Sequence, residues 1–226
     1  MKQRNQSLDT IRGFSVAMMF VFHFIFDLNY FNFTDIPLFD HQLYILWRYI
    51  IVSIFLLSVG ISLVYAYKDY LNIIKFIKRL MLLGFSVILV TTVTYFVFPN
   101  SWIYFGILHL IWSCSIVCIL FVRLPITAII IAIFIILLSL IGLPDLSFLY
   151  NNFSKYLPDS SIDYYPIFPW ISLVFMGIFL GHSTIFNNIN INIKPLSLLG
   201  RHALLLYLTH QIVLFGIVGI IYYLIV

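Results

Sequence analysis

His23 and Asp27 stand four residues apart inside one apolar run. At helical spacing they share a face. Imidazole is the side chain best matched to proton transfer near neutral pH, and a carboxylate one turn away fixes its tautomer and steadies its protonated form. The pair therefore reads as a general base with its orienting acid. Ionisable groups inside a membrane-length run are costly, which makes them functional suspects by default. Arg48, His109, His210 and Gln211 interrupt other apolar runs, and Asp163 stands at the mouth of another. His109 is a second candidate base. Arg48 and Asp163 are candidates for positioning a substrate, as are His210 and Gln211, although Arg48 also reads as a snorkelling side chain and His210–Gln211 as interhelical glue.

Several chemistries are excluded. No G-x-S-x-G elbow, P-loop or G-x-G-x-x-G occurs. Cys114 and Cys118 lie four apart in one run, too few for a disulfide framework or a zinc site, and read as small buried side chains. No metal site and no nucleic-acid partner are expected.

The elements that must position these residues are membrane helices. Of 226 residues, 63% are hydrophobic and 9% charged, which no ordinary soluble domain matches. The runs are continuously apolar rather than alternating, which disfavours a β-barrel. The expected fold is all-α, a polytopic membrane helix bundle forming a single domain over 1–226. Seven spans are expected: Gly13–Tyr30, Leu43–Tyr67, Phe76–Phe98, Ile103–Val122, Ile126–Leu143, Pro166–Gly181 and His202–Leu224. Gly177 and Gly181 form a GxxxG, read as close helix packing.

Charge orients this arrangement. Lys2, Arg4, Arg12, Lys68, Lys75, Lys78, Arg79, Arg123, Lys194 and Arg201 all fall at alternate ends of the spans. Cytoplasmic loops collect Lys and Arg, so the N-terminus is expected in the cytoplasm and the C-terminus outside. The opposite side is acidic, with Asp35, Asp40, Asp145, Asp159 and Asp163, and carries only Lys155.

Helical rise converts position to depth. Counted from Arg12, His23 is about 16 Å and Asp27 about 22 Å above the inner face. Arg48 lies about 7 Å and His109 about 10 Å below the outer one. His210 and Gln211 lie about 14 Å above the inner face. His23, Asp27, Arg48 and His109 are thus expected to converge in the outer half of the membrane. At the inner face Arg12, Arg79, Arg201 and His202 are candidates for holding a phosphorylated cofactor, with lipid headgroups as the competing partner.

Four segments in order resemble one family. They are the opening Ser7-Leu-Asp-Thr-Ile-Arg-Gly13 with its His23 and Asp27, then Phe105-Gly-Ile-Leu-His-Leu-Ile111. Asp163-Tyr-Tyr-Pro-Ile-Phe-Pro-Trp170 with Gly177–Gly181 follows, and last Leu199-Gly-Arg-His202 leading to Tyr207-Leu-Thr-His-Gln211. Together they resemble the heparan-α-glucosaminide N-acetyltransferase catalytic-domain family. The resemblance implies acetyl transfer across a membrane, from cytoplasmic acetyl-CoA to a glycan or amino sugar on the far side. It implies His23 as the catalytic histidine, acting as general base or as acyl carrier. Membrane lipids are expected partners, a homodimer stays open, and the expected location is the cell membrane of a prokaryote. The rival reading is a proton-coupled permease, because His and Asp inside spans also build proton relays.

Overall fold

The computed structural model describes residues 5–38, 40–143, 157–158, 160–184 and 190–225. Lys2, Arg4, Asp145, Lys155 and Asp159, used above to orient the chain, lie outside the described residues. Every described regular element is helical. A helix occupies each expected apolar segment: α1 Gln6–Tyr30, α2 Gln42–Tyr67, α3 Ile73–Val97, α4 Ile107–Cys118, α5 Pro125–Leu140, α6 Ile167–His182 and α8 Ala203–Ile225. One further helix, α7, covers Lys194–Arg201, and a 3₁₀ turn, Ile119–Phe121, extends α4. Helices α1, α2, α3 and α8 are long and apolar enough to cross a membrane, whereas α4, α5 and α6 are shorter apolar helices. Large apolar side chains stand exposed along α3, α5 and α8, among them Phe85, Ile88, Ile130, Phe134, Ile212 and Ile220. Water would not tolerate so much exposed hydrocarbon, but lipid does.

The chain divides into two compact units, Met1–Phe55 with Ile189–Val226, and Leu56–Asn188. In the first unit α1 packs against α7 and α8. Helix α1 starts at Asn5, whose side chain accepts the Leu8 amide at 2.9 Å, and Asp9 in its first turn complements the helix dipole. Its opening motif is largely architectural. Ser7 Oγ accepts the Ile191 amide at 3.0 Å, and Thr10 Oγ1 accepts the Ile193 amide at 3.4 Å. These bonds lay the segment that leads into α7 along the start of α1. Gly13 and Gly200 then let the two backbones touch, since a Cβ on Gly13 would sit 1.7 Å from the Leu196 carbonyl oxygen and one on Gly200 1.8 Å from that of Asp9. Further along, Ser15 Oγ donates to the Ile51 carbonyl at 3.1 Å, and Val16, Met19, Phe22, Ile51 and Val52 form a buried core.

In the second unit α3 packs on α4, and α6 packs on α4 and α5. The GxxxG packs as expected. A Cβ on Gly177 would lie 2.3 Å from the Leu57 carbonyl oxygen, and one on Gly60 2.1 Å from that of Val174, so the α2 and α6 backbones are in contact. Cys114 and Cys118 are free and buried. Arg123 donates to the carbonyls of Lys68 and Asp69 at 3.1 and 3.4 Å, meeting the chain just past α2 with a cation.

Candidate active site

Four of the expected residues meet in the first unit, where α1 lies against α8. The rings of His23 and His210 stand edge to face, 4.5 Å between centroids. Gln211 Nε2 donates to Asp27 Oδ1 at 2.6 Å, and the same amide neighbours His23. Asp27 is wholly buried and His210 nearly so. The ring of His210 is oriented by its own helix: Nδ1 donates to the Tyr207 carbonyl at 2.7 Å. That bond puts the proton on Nδ1 and leaves Nε2 as an acceptor. Phe22, Phe26 and Phe20 close round the imidazoles, and Trp47 of α2 packs its ring against Phe22.

The expected direct pairing of Asp27 with His23 is not how these side chains are placed. Asp27 takes its hydrogen bond from Gln211, and His23 faces His210. Residues four apart on a helix share a face, but the longer Gln211 reaches in from α8 and takes the carboxylate first.

Several buried atoms of this cluster have no hydrogen-bond partner among the described residues: His23 Nδ1, Asp27 Oδ2, His210 Nε2, Gln211 Oε1 and the neighbouring Trp47 Nε1. An unpaired buried polar group costs about 1–3 kcal/mol. Such groups are tolerated in one place when the place receives something. Of these atoms Asp27 Oδ2, His210 Nε2 and Gln211 Oε1 are acceptors, and His23 Nδ1 can be one. The cluster therefore suits a group that brings O–H or N–H donors.

The expected basic residues fall elsewhere. Arg12 pairs with buried Asp9, Nη1 to Oδ1 at 3.4 Å. The Gly13–Gly200 contact sets the chain at Arg12 beside the chain at Arg201, with exposed His202 next along. Eleven residues separate Arg12 from His23, about 16 Å of helical rise. Two guanidinium groups with an imidazole suit the phosphate oxygens of a nucleotide-like donor. Arg48 stands half-buried on α2 beside Trp47.

Three expected residues belong to the second unit. Arg79 lies half-buried on α3, with Tyr67 as a hydrogen-bond partner. His109 and Asp163 together build the start of α4. Asp163 Oδ2 accepts the Ile107 amide at 3.0 Å, and His109 Nδ1 accepts the Gly106 amide at 3.2 Å. His109 Nε2 then meets Thr91 Oγ1 at 3.1 Å, and that hydroxyl donates to the Ile103 carbonyl at 3.0 Å. Both nitrogens of His109 are thus committed to holding α4 against α3. A Cβ on Gly106 would come within 2.5 Å of Asp163 Oδ2, so the glycine is what admits the carboxylate.

Sequence reasoning missed that His210 is the immediate partner of His23. The signal was present, because the depth count sets the two within about 2 Å of one level.

The family model described as heparan-alpha-glucosaminide N-acetyltransferase, catalytic, matches residues 4–212. No curated protein and no solved structure matches the chain.

Proposed function

The chain belongs to the heparan-alpha-glucosaminide N-acetyltransferase catalytic family, and from that premise we propose that it is an integral-membrane acetyltransferase moving an acetyl group from cytoplasmic acetyl-CoA to a glycan or amino sugar on the outer side. One acyltransferase domain crosses the membrane seven times, with the start of α1 in the cytoplasm, as the segregation of Lys and Arg supports. The observation that carries the reading is the His23–His210 pair set among unpaired buried acceptors.

Acetyl-CoA supplies an activated acetyl thioester. Arg12, Arg201 and His202 hold its phosphates at the crossing of α1 and α7. His23 Nδ1 takes the proton of the attacking hydroxyl or amine as that oxygen or nitrogen bonds the acetyl carbon, and the proton returns to the CoA sulfur as the thioester C–S bond breaks, releasing CoA thiol. His210, its own proton held by the Tyr207 carbonyl, offers Nε2 as a second acceptor for the incoming group. Two adjacent imidazolium charges repel, so at most one ring of the pair is cationic at a time and the other stays neutral. Gln211 fixes one oxygen of Asp27 and leaves the other to orient the acceptor. Arg48 is kept as an acceptor-positioning residue. His109 and Asp163 are assigned to forming the start of α4, and Arg79 to the basic inner side.

The test is radiolabelled acetyl-CoA with the purified chain in proteoliposomes and an amino-sugar acceptor. His23→Ala is expected to cut transfer by about 10²–10⁴-fold. Undiminished transfer by a His23→Ala sample of unchanged melting temperature would remove His23 as the base.

A further inference from the structure

The start of α3 carries the wrong charge for the first turns of a helix. Asn72 caps it, its side chain accepting the Lys75 amide at 2.9 Å, but no acid stands in the first turn. Lys75, Lys78 and Arg79 occupy the first two turns instead, where the helix dipole is itself positive. They stand at i, i+3 and i+4, one face of the helix. Helix α1 opens the ordinary way, with Asp9 in its first turn. Cations gathered at a positive helix end repel it and one another, and an anion among them relieves both.

The cluster is wider than one helix. Arg79 is half-buried and donates to Tyr67, the last residue of α2, whose ring meets Phe76 of α3 edge to face at 5.5 Å. Lys68 follows Tyr67, and Arg123 donates to the Lys68 carbonyl at 3.1 Å. Lys68, Lys75, Lys78, Arg79 and Arg123 thus gather round the start of α3, with Asp69 as the one acid in the chain between α2 and α3. Among the described residues no carboxylate pairs with Lys75, Lys78 or Arg79. The same face then runs on as hydrocarbon. Met81, Leu82, Phe85 and Leu89 stand three, four, seven and eleven residues past Lys78, and all four are exposed. At helical spacing they continue the stripe that Lys78 begins. Topology asks only for cations on one side of a membrane, not for cations on one helix face at the head of a lipid-facing stripe.

We propose that this face seats one anionic phospholipid, its phosphate oxygens held by Lys75, Lys78 and Arg79 and an acyl chain laid along Met81, Leu82 and Phe85. Arg79 offers a planar fork to two phosphate oxygens, and the two lysines offer point charges. Tyr67 steadies the guanidinium without neutralising it, because a phenol carries no charge. A zwitterionic lipid brings a cation of its own into the cluster and gains less. The site lies wholly within the second unit and is independent of the acetyl transfer proposed above.

Binding is measured by native mass spectrometry of the purified full chain, titrated with phosphatidylglycerol and with phosphatidylcholine of the same acyl chains. Phosphatidylglycerol is expected to bind about 10²-fold more tightly, about fivefold for each of the three cations. Lys75→Gln with Lys78→Gln is expected to bring that ratio to about fivefold, and Arg79→Gln added to them to about one. Both lysines are exposed, so the double variant keeps the test readable if the triple variant fails to fold. Lys194→Gln, which removes a charge from the first unit, is expected to leave the ratio unmoved. Glycerol 3-phosphate at the lipid's own concentration is expected to leave the lipid in place. Equal affinity for the two lipids in the wild type, or a ratio that survives the double lysine variant, overturns the site. A loss as large in Lys194→Gln reduces it to general charge, and displacement by glycerol 3-phosphate makes the ligand a free phosphate rather than a lipid; either result also overturns it.

Discussion

Gly13→Ala tests the crossing of α1 and α7, on which the placement of Arg12 and Arg201 depends. The new Cβ would lie 1.7 Å from the Leu196 carbonyl oxygen, 2.5 Å from its carbon and 2.9 Å from the Gly200 nitrogen. All three obstacles are backbone, so no side chain can swing aside. Carbon contacts are comfortable near 3.5 Å, so α7 must withdraw from α1 by about 2 Å. Such a shift breaks the Ser7–Ile191 and Thr10–Ile193 hydrogen bonds, now 3.0 and 3.4 Å long. Overpacking costs about 1–3 kcal/mol and each lost hydrogen bond about 0.5–1.5 kcal/mol, roughly 2–6 kcal/mol together. For a chain of this length the melting temperature should fall by on the order of 10 °C, read by tryptophan fluorescence in detergent. Gly216→Ala is the control. Its Cβ meets nothing within 4 Å, and alanine is favoured over glycine inside a helix by about 0.8–1 kcal/mol, so this variant should melt slightly higher. If Gly13→Ala melts with or above the wild type, the backbone contact is not as described, and the basic crossing loses its support.

Gln211→Leu leaves Asp27 buried without its donor and is expected to destabilise the chain by about 1–3 kcal/mol; Asp27→Leu in the same background should recover part of that loss, and a strictly additive double variant would deny the coupling. His109→Ala or Asp163→Ala removes a cap from α4 and should each cost about 1 kcal/mol in chemical denaturation; unchanged stability of both would free His109 for the catalytic role first expected of it. Single cysteines replacing Asp35 and Lys194, in a chain whose two native cysteines are changed to alanine, should react with an impermeant maleimide from opposite faces of sealed vesicles; reaction from one face breaks the seven-crossing topology.

How much was legible in advance depended on how local each determinant is. Two of the apolar helices were readable nearly to their ends, whereas α1 begins at Gln6, seven residues before the expected Gly13, and α4 covers only Ile107–Cys118 of the expected Ile103–Val122. Span two was expected at Leu43–Tyr67 and the helix is Gln42–Tyr67; span seven at His202–Leu224 and the helix is Ala203–Ile225. In an apolar solvent each segment must satisfy its own backbone hydrogen bonds, so hydropathy and length alone decide that it is a helix. The same locality explains why Cys114 and Cys118 were read correctly as buried side chains, and Gly177 with Gly181 as a packing face.

Helix α7 was not readable, because it is short and polar and is held by Ser7, Thr10 and Gly13 of a helix far away in sequence. Position along a helix follows from counting residues, and the count put His23 and His210 within about 2 Å in height, although His23 was grouped with Arg48 and His109 and His210 nearer the middle. Rotation about the helix axis does not follow from counting, and rotation decides which side chains touch. Only the packing of α8 on α1 gave Asp27 to Gln211 and turned His23 toward His210. The start of α4 repeats the lesson, since His109 looked like a free base until Gly106 and Thr91 took up both of its nitrogens. The sequence by itself determined which residues are costly to bury and how far along its own helix each one stands, because both are properties of the single helix. Which of them meet was decided by tertiary structure, because a contact needs the relative rotation of two helices, and that is set by the small residues and hydrogen bonds between them.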